Sequence, residues 1–246
     1  MAFISLKPLL SGQAPIDLIW LSLGSVALAE LAARAHPGAV VLDLQHGLWE
    51  RNSLEAAVGI ACQHVPVIAR CAGNTPHQIF QALDSGASSV LVPLIESAEE
   101  ARQAVQASRY PPDGVRSAGG LRPLLDGVDA MLQTGAQVAV GLMIETVKGV
   151  QNVESIMAVP GIDYIFIGTG DLALSLGTGD QSVLQRHCQQ VLHGARARGL
   201  PCGQYTGTAE AARQSFDAGY RIAVCASDVG AAKSGFAQAG QFGRKK

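Results

Sequence analysis

Residues 39–70 read AVVLDLQHGLWERNSLEAAVGIACQHVPVIAR. An apolar, β-branched run closes on Asp43, a polar loop follows, an Ala-rich amphipathic stretch occupies 53–63, and a second apolar run closes on Arg70. Continuous apolar runs of this length, not alternating ones, are expected of strands covered on both faces, which is the condition of a parallel sheet. The same unit repeats outward in both directions. Strands are predicted at 16–23, 39–44, 66–70, 89–94, 138–145, 164–168, 202–205 and 221–226. Helical patterns fall between them, at 26–35, 53–63, 76–85, 98–108, 147–158, 183–198, 209–218 and 229–237. Thr75 before Pro76 and Ser97 before two glutamates mark helix starts, and Gly86, Gly161, Gly199 and Gly219 mark helix ends. Eight βα units of roughly 25–30 residues predict a (β/α)8 barrel forming one domain over 1–246. Only residues 111–137 break the rhythm.

Composition narrows the function. The chain has 246 residues, 48% hydrophobic and 15% charged, enough for a large core and typical of an α/β barrel. Its net charge of −2 comes from 18 basic and 20 acidic residues spread along the chain, so no basic face for nucleic acid is expected. Residues 243–246 form the one basic run and read as a solvated tail. No apolar run approaches the roughly 20 residues of a membrane span. Five cysteines (Cys62, Cys71, Cys188, Cys202, Cys225) make no CxxC pair, and no basic-then-apolar leader follows Met1, which together predict a reduced, cytoplasmic protein.

A parallel barrel gathers its chemistry at the C-terminal ends of the strands. Four of the expected strands end there on ionisable groups: His46 after Asp43, then Arg70, Glu145 and Asp171. Taken singly, each has a structural explanation, such as helix capping for Asp171 or a plain ion pair for Arg70. Four at one mouth make a site. Two carboxylates with no neighbouring thiol or second imidazole suit a hard cation such as Mg²⁺, Mn²⁺ or Co²⁺. Such a cation, left with open positions, can take the carboxylate and keto oxygens of a 2-oxo acid and stabilise an enolate as a Lewis acid. Arg70 is placed to hold the keto oxygen or carboxylate, and His46 is the natural proton shuttle near neutral pH. The turn Gly168-Thr169-Gly170 opens a helix whose amides can receive a substrate carboxylate. A Schiff-base route is disfavoured, because among the lysines only Lys148 lies near a strand end.

The chain resembles the HpcH/HpaI aldolases, metal-dependent class II pyruvate aldolases of the 4-hydroxy-2-oxoheptanedioate type. The resemblance spans nearly the whole sequence. It rests on Leu42-Asp43-Leu44-Gln45-His46, Leu83-Asp84-Ser85-Gly86-Ala87, Val90-Leu91-Val92-Pro93, Arg109-Tyr110-Pro111-Pro112-Asp113-Gly114-Val115-Arg116, Met143-Ile144-Glu145-Thr146 and Val159-Pro160-Gly161-Ile162-Asp163 with Phe166-Ile167-Gly168. It implies that Glu145 and Asp171, 26 residues apart, ligate the metal. Arg70 would bind the 2-oxo acid and stabilise the enolate. His46 would be the base, oriented by Asp84, with Asp43 supporting it from the strand end. It further implies a homohexamer, a trimer of dimers, with an exchanged C-terminal helix. The sequence departs from the family pattern in three places. Met143 stands where many members have Gln, Thr169-Gly170 replaces a Gly-Pro, and the Arg/Tyr-rich loop after Ser117 is shortened toward Asp126.

The expected reaction is therefore reversible cleavage of a 4-hydroxy-2-oxo acid to pyruvate and an aldehyde through a metal-bound enolate. The alternative keeps the same site for a carboligase or decarboxylase using oxaloacetate, for example a citrate-forming enzyme of a siderophore pathway. A barrel that merely binds a 2-oxo acid is disfavoured by the complete set of His46, Arg70, Glu145 and Asp171. A preference for acidic acceptors would require basic residues in 111–137, where Arg116 and Arg122 are available.

Overall fold

In the computed structural model, which describes residues 3–240, the expected strands all form and hydrogen-bond side by side in sequence order, each parallel to the next. They are β1 (Ile16–Leu21), β2 (Ala39–Asp43), β3 (Val67–Arg70), β4 (Ser89–Val92), β5 (Ala139–Ile144), β6 (Tyr164–Ile167), β7 (Cys202–Gln204) and β8 (Ile222–Ser227). Pairing of β1 with β8 closes the barrel. The (β/α)8 expectation holds.

Side-chain alternation splits the core into two. Ile16, Leu18, Trp20, Ala39, Val41, Ile68, Leu91, Ala139, Met143, Tyr164, Phe166, Ile222 and Val224 fill the barrel interior. Val40, Leu42, Val67, Ala69, Val90, Val92, Val140, Leu142, Ile165 and Ile167, one residue out of phase, pack outward under the helices. Because strand side chains repeat every two residues, this phase carries forward to the strand ends. Asp43 follows Val41, Arg70 follows Ile68, and Glu145 follows Met143, so all three share the interior phase at the C-terminal mouth.

The helix-ending glycines Gly86, Gly199 and Gly219 have φ of 89°, 67° and 94°, the left-handed conformation expected of them, whereas Gly161, φ 91°, lies in a turn three residues beyond the cap Ala158 of the helix that stops at Met157. The structure differs from the sequence reading where local pattern is weakest. The helix expected over 147–158 is two short helices, Val147–Gln151 and Val153–Met157, meeting at Asn152, whose side chain donates to the Glu96 carbonyl at 2.8 Å. Residues 111–137 contain the helices Leu121–Leu124 and Val128–Ala136. Lys7–Ser11 forms an unforeseen helix that adds Leu6 and Leu10 to the interior cluster.

The last helix, Asp228–Gly240, has a single buried residue, Asp228. Its apolar Phe236 is 78% exposed. The basic run at 243–246 lies outside the described residues. No helix among the described residues is long and apolar enough to cross a membrane.

Candidate active site

At the C-terminal mouth the interior phase delivers Asp43, Arg70 and Glu145 to the floor of a cleft of about 640 Å³. His46, Asp171 and the Gly168-Thr169-Gly170 turn line the same cleft, so seven of the eight sequence-predicted site residues converge. Trp20, Tyr205, Ser227 and Lys233 complete the wall.

Arg70 and Asp43 form a buried two-point pair. Arg70 Nε donates to Asp43 Oδ1 at 2.7 Å and Nη2 donates to Oδ2 at 2.5 Å. The guanidinium carbon lies 5.0 Å from the centre of the Trp20 ring, and the indole N–H donates to Asp43 Oδ2 at 3.2 Å. The amides of Gln45 and His46 donate to Asp43 Oδ1 at 3.0 and 3.2 Å. Burial alone would raise the Asp43 carboxyl, but the Arg70 donors and charge outweigh it and hold it below its ordinary value. The planar guanidinium is thereby fixed, while its Nη1 makes no hydrogen bond within the described residues. Asp43 thus locks Arg70 and shapes the loop that carries His46.

Glu145 is 1% exposed, on the residue after β5. Its Oε1 accepts from the Leu94 amide at 2.7 Å, and Leu94 adopts φ of 56°, a left-handed conformation unusual for a non-glycine residue. Its Oε2 is buried with no hydrogen-bond partner. Burial, more than any other influence, pushes the Glu145 carboxyl up to about 7, the Leu94 amide opposes this, and the nearby Asp171 charge adds to it. A buried carboxylate oxygen without a donor, facing a second carboxylate, is costly unless a cation sits between them. Gly168 shares the interior phase of β6, and a Cβ there would stand 2.3 Å from Glu145 Oε2. That space is kept open by the absence of a side chain. Both carboxylates are hard oxygen donors, and no group of three or more His, Cys, Asp or Glu residues able to hold a metal exists among the described residues. The set fits an Mg²⁺-like ion that keeps several positions for water or substrate.

Asp171 sits in the first turn of the helix Thr169–Leu176, the helix expected to open at the Gly168-Thr169-Gly170 turn. Gly168 N–H is already donated to the Ile144 carbonyl at 3.2 Å, so of the expected anion-binding amides only those of Thr169 and Gly170 remain. Thr169 Oγ1 donates to the Tyr205 carbonyl at 3.2 Å.

Asp84 is not brought to His46 within the chain. It ends the helix Pro76–Asp84, and barrel helices run antiparallel to the strands, which puts it at the opposite face from the cleft. There it accepts from Arg116 at 3.4 Å, and Arg116 stacks 4.5 Å over the Tyr110 ring. Arg116 is 3% exposed, and the Arg122 guanidinium packs against Gly59 and Gly86. Neither arginine of 111–137 lines the cleft.

Lys148 is tied to Glu96 at 3.0 Å, in keeping with the rejection of a Schiff base. Four of the five cysteines are buried, and burial pushes Cys71 up to about 12, far from a reactive thiolate. Sequence reasoning missed Trp20, Leu94 and Lys233. The two-residue phase from Ile16 through Leu18 could have found Trp20. The Leu94 amide has no sequence signal.

The family model of the HpcH/HpaI aldolase/citrate lyase family matches residues 17–234. The chain belongs to this HpcH/HpaI family. It is 35% identical over 237 residues to a hydroxypyruvate/pyruvate aldolase of Paraburkholderia phytofirmans, covering 91% of each chain. Among solved structures, an HpcH/HpaI family protein from Burkholderia cenocepacia superposes with a TM-score of 0.90 at 33% identity, covering 98% of both chains. The citrate synthase SbnG superposes with a TM-score of 0.83 at 28% identity, covering 98% of this chain and 99% of the other. The family and the barrel stand as the sequence resemblance implied, and they place the chain among aldolases and lyases.

Proposed function

We propose that this protein is a divalent-cation-dependent aldolase that cleaves a 4-hydroxy-2-oxo acid to pyruvate and an aldehyde, reversibly. The observation that carries this reading is the buried Glu145 carboxylate, with Oε2 unpartnered beside Asp171, on the floor of a cleft that also holds Arg70 and His46. Glu145 and Asp171 would hold Mg²⁺, Mn²⁺ or Co²⁺, which when bound supplies Lewis-acid polarisation of the substrate's 2-oxo acid oxygens. Arg70, fixed by Asp43, presents Nη1 to the keto oxygen or carboxylate and favours the enolate charge. The amides of Thr169 and Gly170 receive the substrate carboxylate. His46 takes the C4 hydroxyl proton; the C3–C4 bond breaks, the aldehyde leaves, and the electron pair passes to pyruvate as its enolate, protonated at C3. The relative from Paraburkholderia phytofirmans, a hydroxypyruvate/pyruvate aldolase, supports this reading.

The second reading, an oxaloacetate carboligase or decarboxylase at the same site, is favoured by the short 117–126 segment and by the likeness to a citrate synthase. Metal-stripped protein reloaded with Mg²⁺, Mn²⁺ or Co²⁺ separates the two. Product from pyruvate plus aldehydes supports the aldolase, whereas turnover of oxaloacetate alone, with or without acetyl-CoA, supports the second.

Two further readings belong to the same proposal. The protein self-associates, as a hexamer built from dimers that exchange helix Asp228–Gly240, because only Asp228 at its start is buried on its own barrel and its far end, with Phe236, is exposed. It works in the reducing cytoplasm, in keeping with its free, mostly buried cysteines.

A further inference from the structure

The cleft wall includes a cation that the aldolase reading leaves without a task. Lys233 lies in the second turn of helix Asp228–Gly240 and lines the cleft with Arg70, Glu145 and Asp171. Of the three lysines among the described residues, Lys7 is paired with Asp163 at 3.7 Å and Lys148 with Glu96 at 3.0 Å. Lys233 has no hydrogen bond or ion pair to any described residue. The helix start that carries it is pinned, since Asp228 accepts from the Ser22 amide at 3.0 Å and from the Leu23 amide at 2.8 Å. Gly230, one turn before Lys233 on the same helix face, also lines the cleft.

Charge accounting gives this lysine a direction. Arg70 is neutralised by Asp43. A divalent cation held by Glu145 and Asp171 would neutralise both. Asp228, at the start of the same helix, is held by backbone amides, and Lys233 remains at the rim on a long flexible stem without an acidic partner among the described residues. A free ammonium there attracts an anion and gives nothing to an uncharged tail.

We propose that Lys233 is a specificity-determining residue that selects acceptor aldehydes carrying an anionic tail, a carboxylate or a phosphate, over their uncharged counterparts. This rests on the aldolase reading above. The test uses the full-length, cation-loaded protein with pyruvate and two matched pairs: 4-oxobutanoate against butanal, and glyceraldehyde 3-phosphate against glyceraldehyde. The selectivity ratio in kcat/KM should favour the charged member of at least one pair, and which pair distinguishes carboxylate from phosphate. Lys233→Met should lower that ratio about ten-fold, the scale of one charge-assisted contact, mainly through the KM of the charged aldehyde. Lys233→Arg should restore it and Lys233→Glu should invert it. Raising the salt concentration should weaken the preference in the wild type and leave the Lys233→Met ratio flat. A ratio that Lys233→Met leaves unchanged, an equal loss for charged and uncharged aldehydes, or no product from any of the four aldehydes overturns the proposal. Cation-dependent exchange of the pyruvate methyl protons, read in parallel, tells its failure from that of the aldolase reading, which alone fails when the wild type shows no exchange.

Discussion

The Asp43–Arg70 pair has consequences that can be measured apart from activity. Both side chains are nearly fully buried, and removing one partner strands the other charge. Asp43→Asn should therefore destabilise the protein by about 3–5 kcal/mol, read by chemical denaturation at pH 7. The Asp43 carboxyl is held below its ordinary value in the folded state, so its contribution is complete above the unfolded value near ~3.9 and disappears as pH falls through the lower folded value. The stability gap between wild type and Asp43→Asn should therefore close as the pH is taken below about 4, and a constant gap would contradict the assignment. Arg70→Lys keeps a charge but loses the planar fork, and should damage both KM and kcat toward 2-oxo acids. Gly168→Ala tests the cation cradle: a methyl 2.3 Å from Glu145 Oε2 must displace the carboxylate. Calorimetric titration should show cation affinity falling at least about ten-fold, as for other perturbed ligand surroundings, with thermal unfolding still cooperative. Undiminished affinity would remove Glu145 Oε2 from the cation site.

At the scale of elements, the strands were legible because burial on both faces demands unbroken apolar runs, and the strand ends named Asp43, Arg70 and Glu145, but which phase faces inward came only from the packed barrel. The helix caps were legible because Gly86, Gly199 and Gly219 occupy conformations that other residues resist. Asp84 does not reach His46 within the chain, for a geometric reason. A helix C-terminus and a strand C-terminus lie at opposite faces of a barrel, so the two cannot meet within one chain. Leu94 was illegible because its contribution is a backbone amide, whose direction comes from a left-handed turn that no side chain announces. The C-terminal helix Asp228–Gly240 carries its own prediction. With Phe236 exposed at its far end, Phe236→Asp should shift the protein toward the single chain in sedimentation velocity. If the wild type sediments only as a 25.5 kDa species at micromolar concentration, the proposed self-association is wrong.

At the scale of the whole molecule, the barrel divides its labour between a rigid hydrophobic interior and one polar mouth. Trp20, Met143, Tyr164 and Phe166 pack the interior beneath the cleft, and Asp43, Arg70 and Glu145 take the last inward positions at the ends of β2, β3 and β5. Generating an enolate from pyruvate requires no aldehyde, so it isolates what Glu145, Asp171, Arg70 and His46 do together. The direct measurement is proton exchange at the pyruvate methyl group, followed by NMR in deuterated water. The wild type should exchange these protons only with Mg²⁺, Mn²⁺ or Co²⁺ present, Glu145→Ala and Asp171→Ala should abolish exchange, and His46→Ala should slow it by about 10²–10⁴-fold, the usual worth of a positioned acid–base group. Exchange that survives removal of the cation, or that Glu145→Ala and Asp171→Ala leave at the wild-type rate, would contradict a cation-assisted enolate at this mouth.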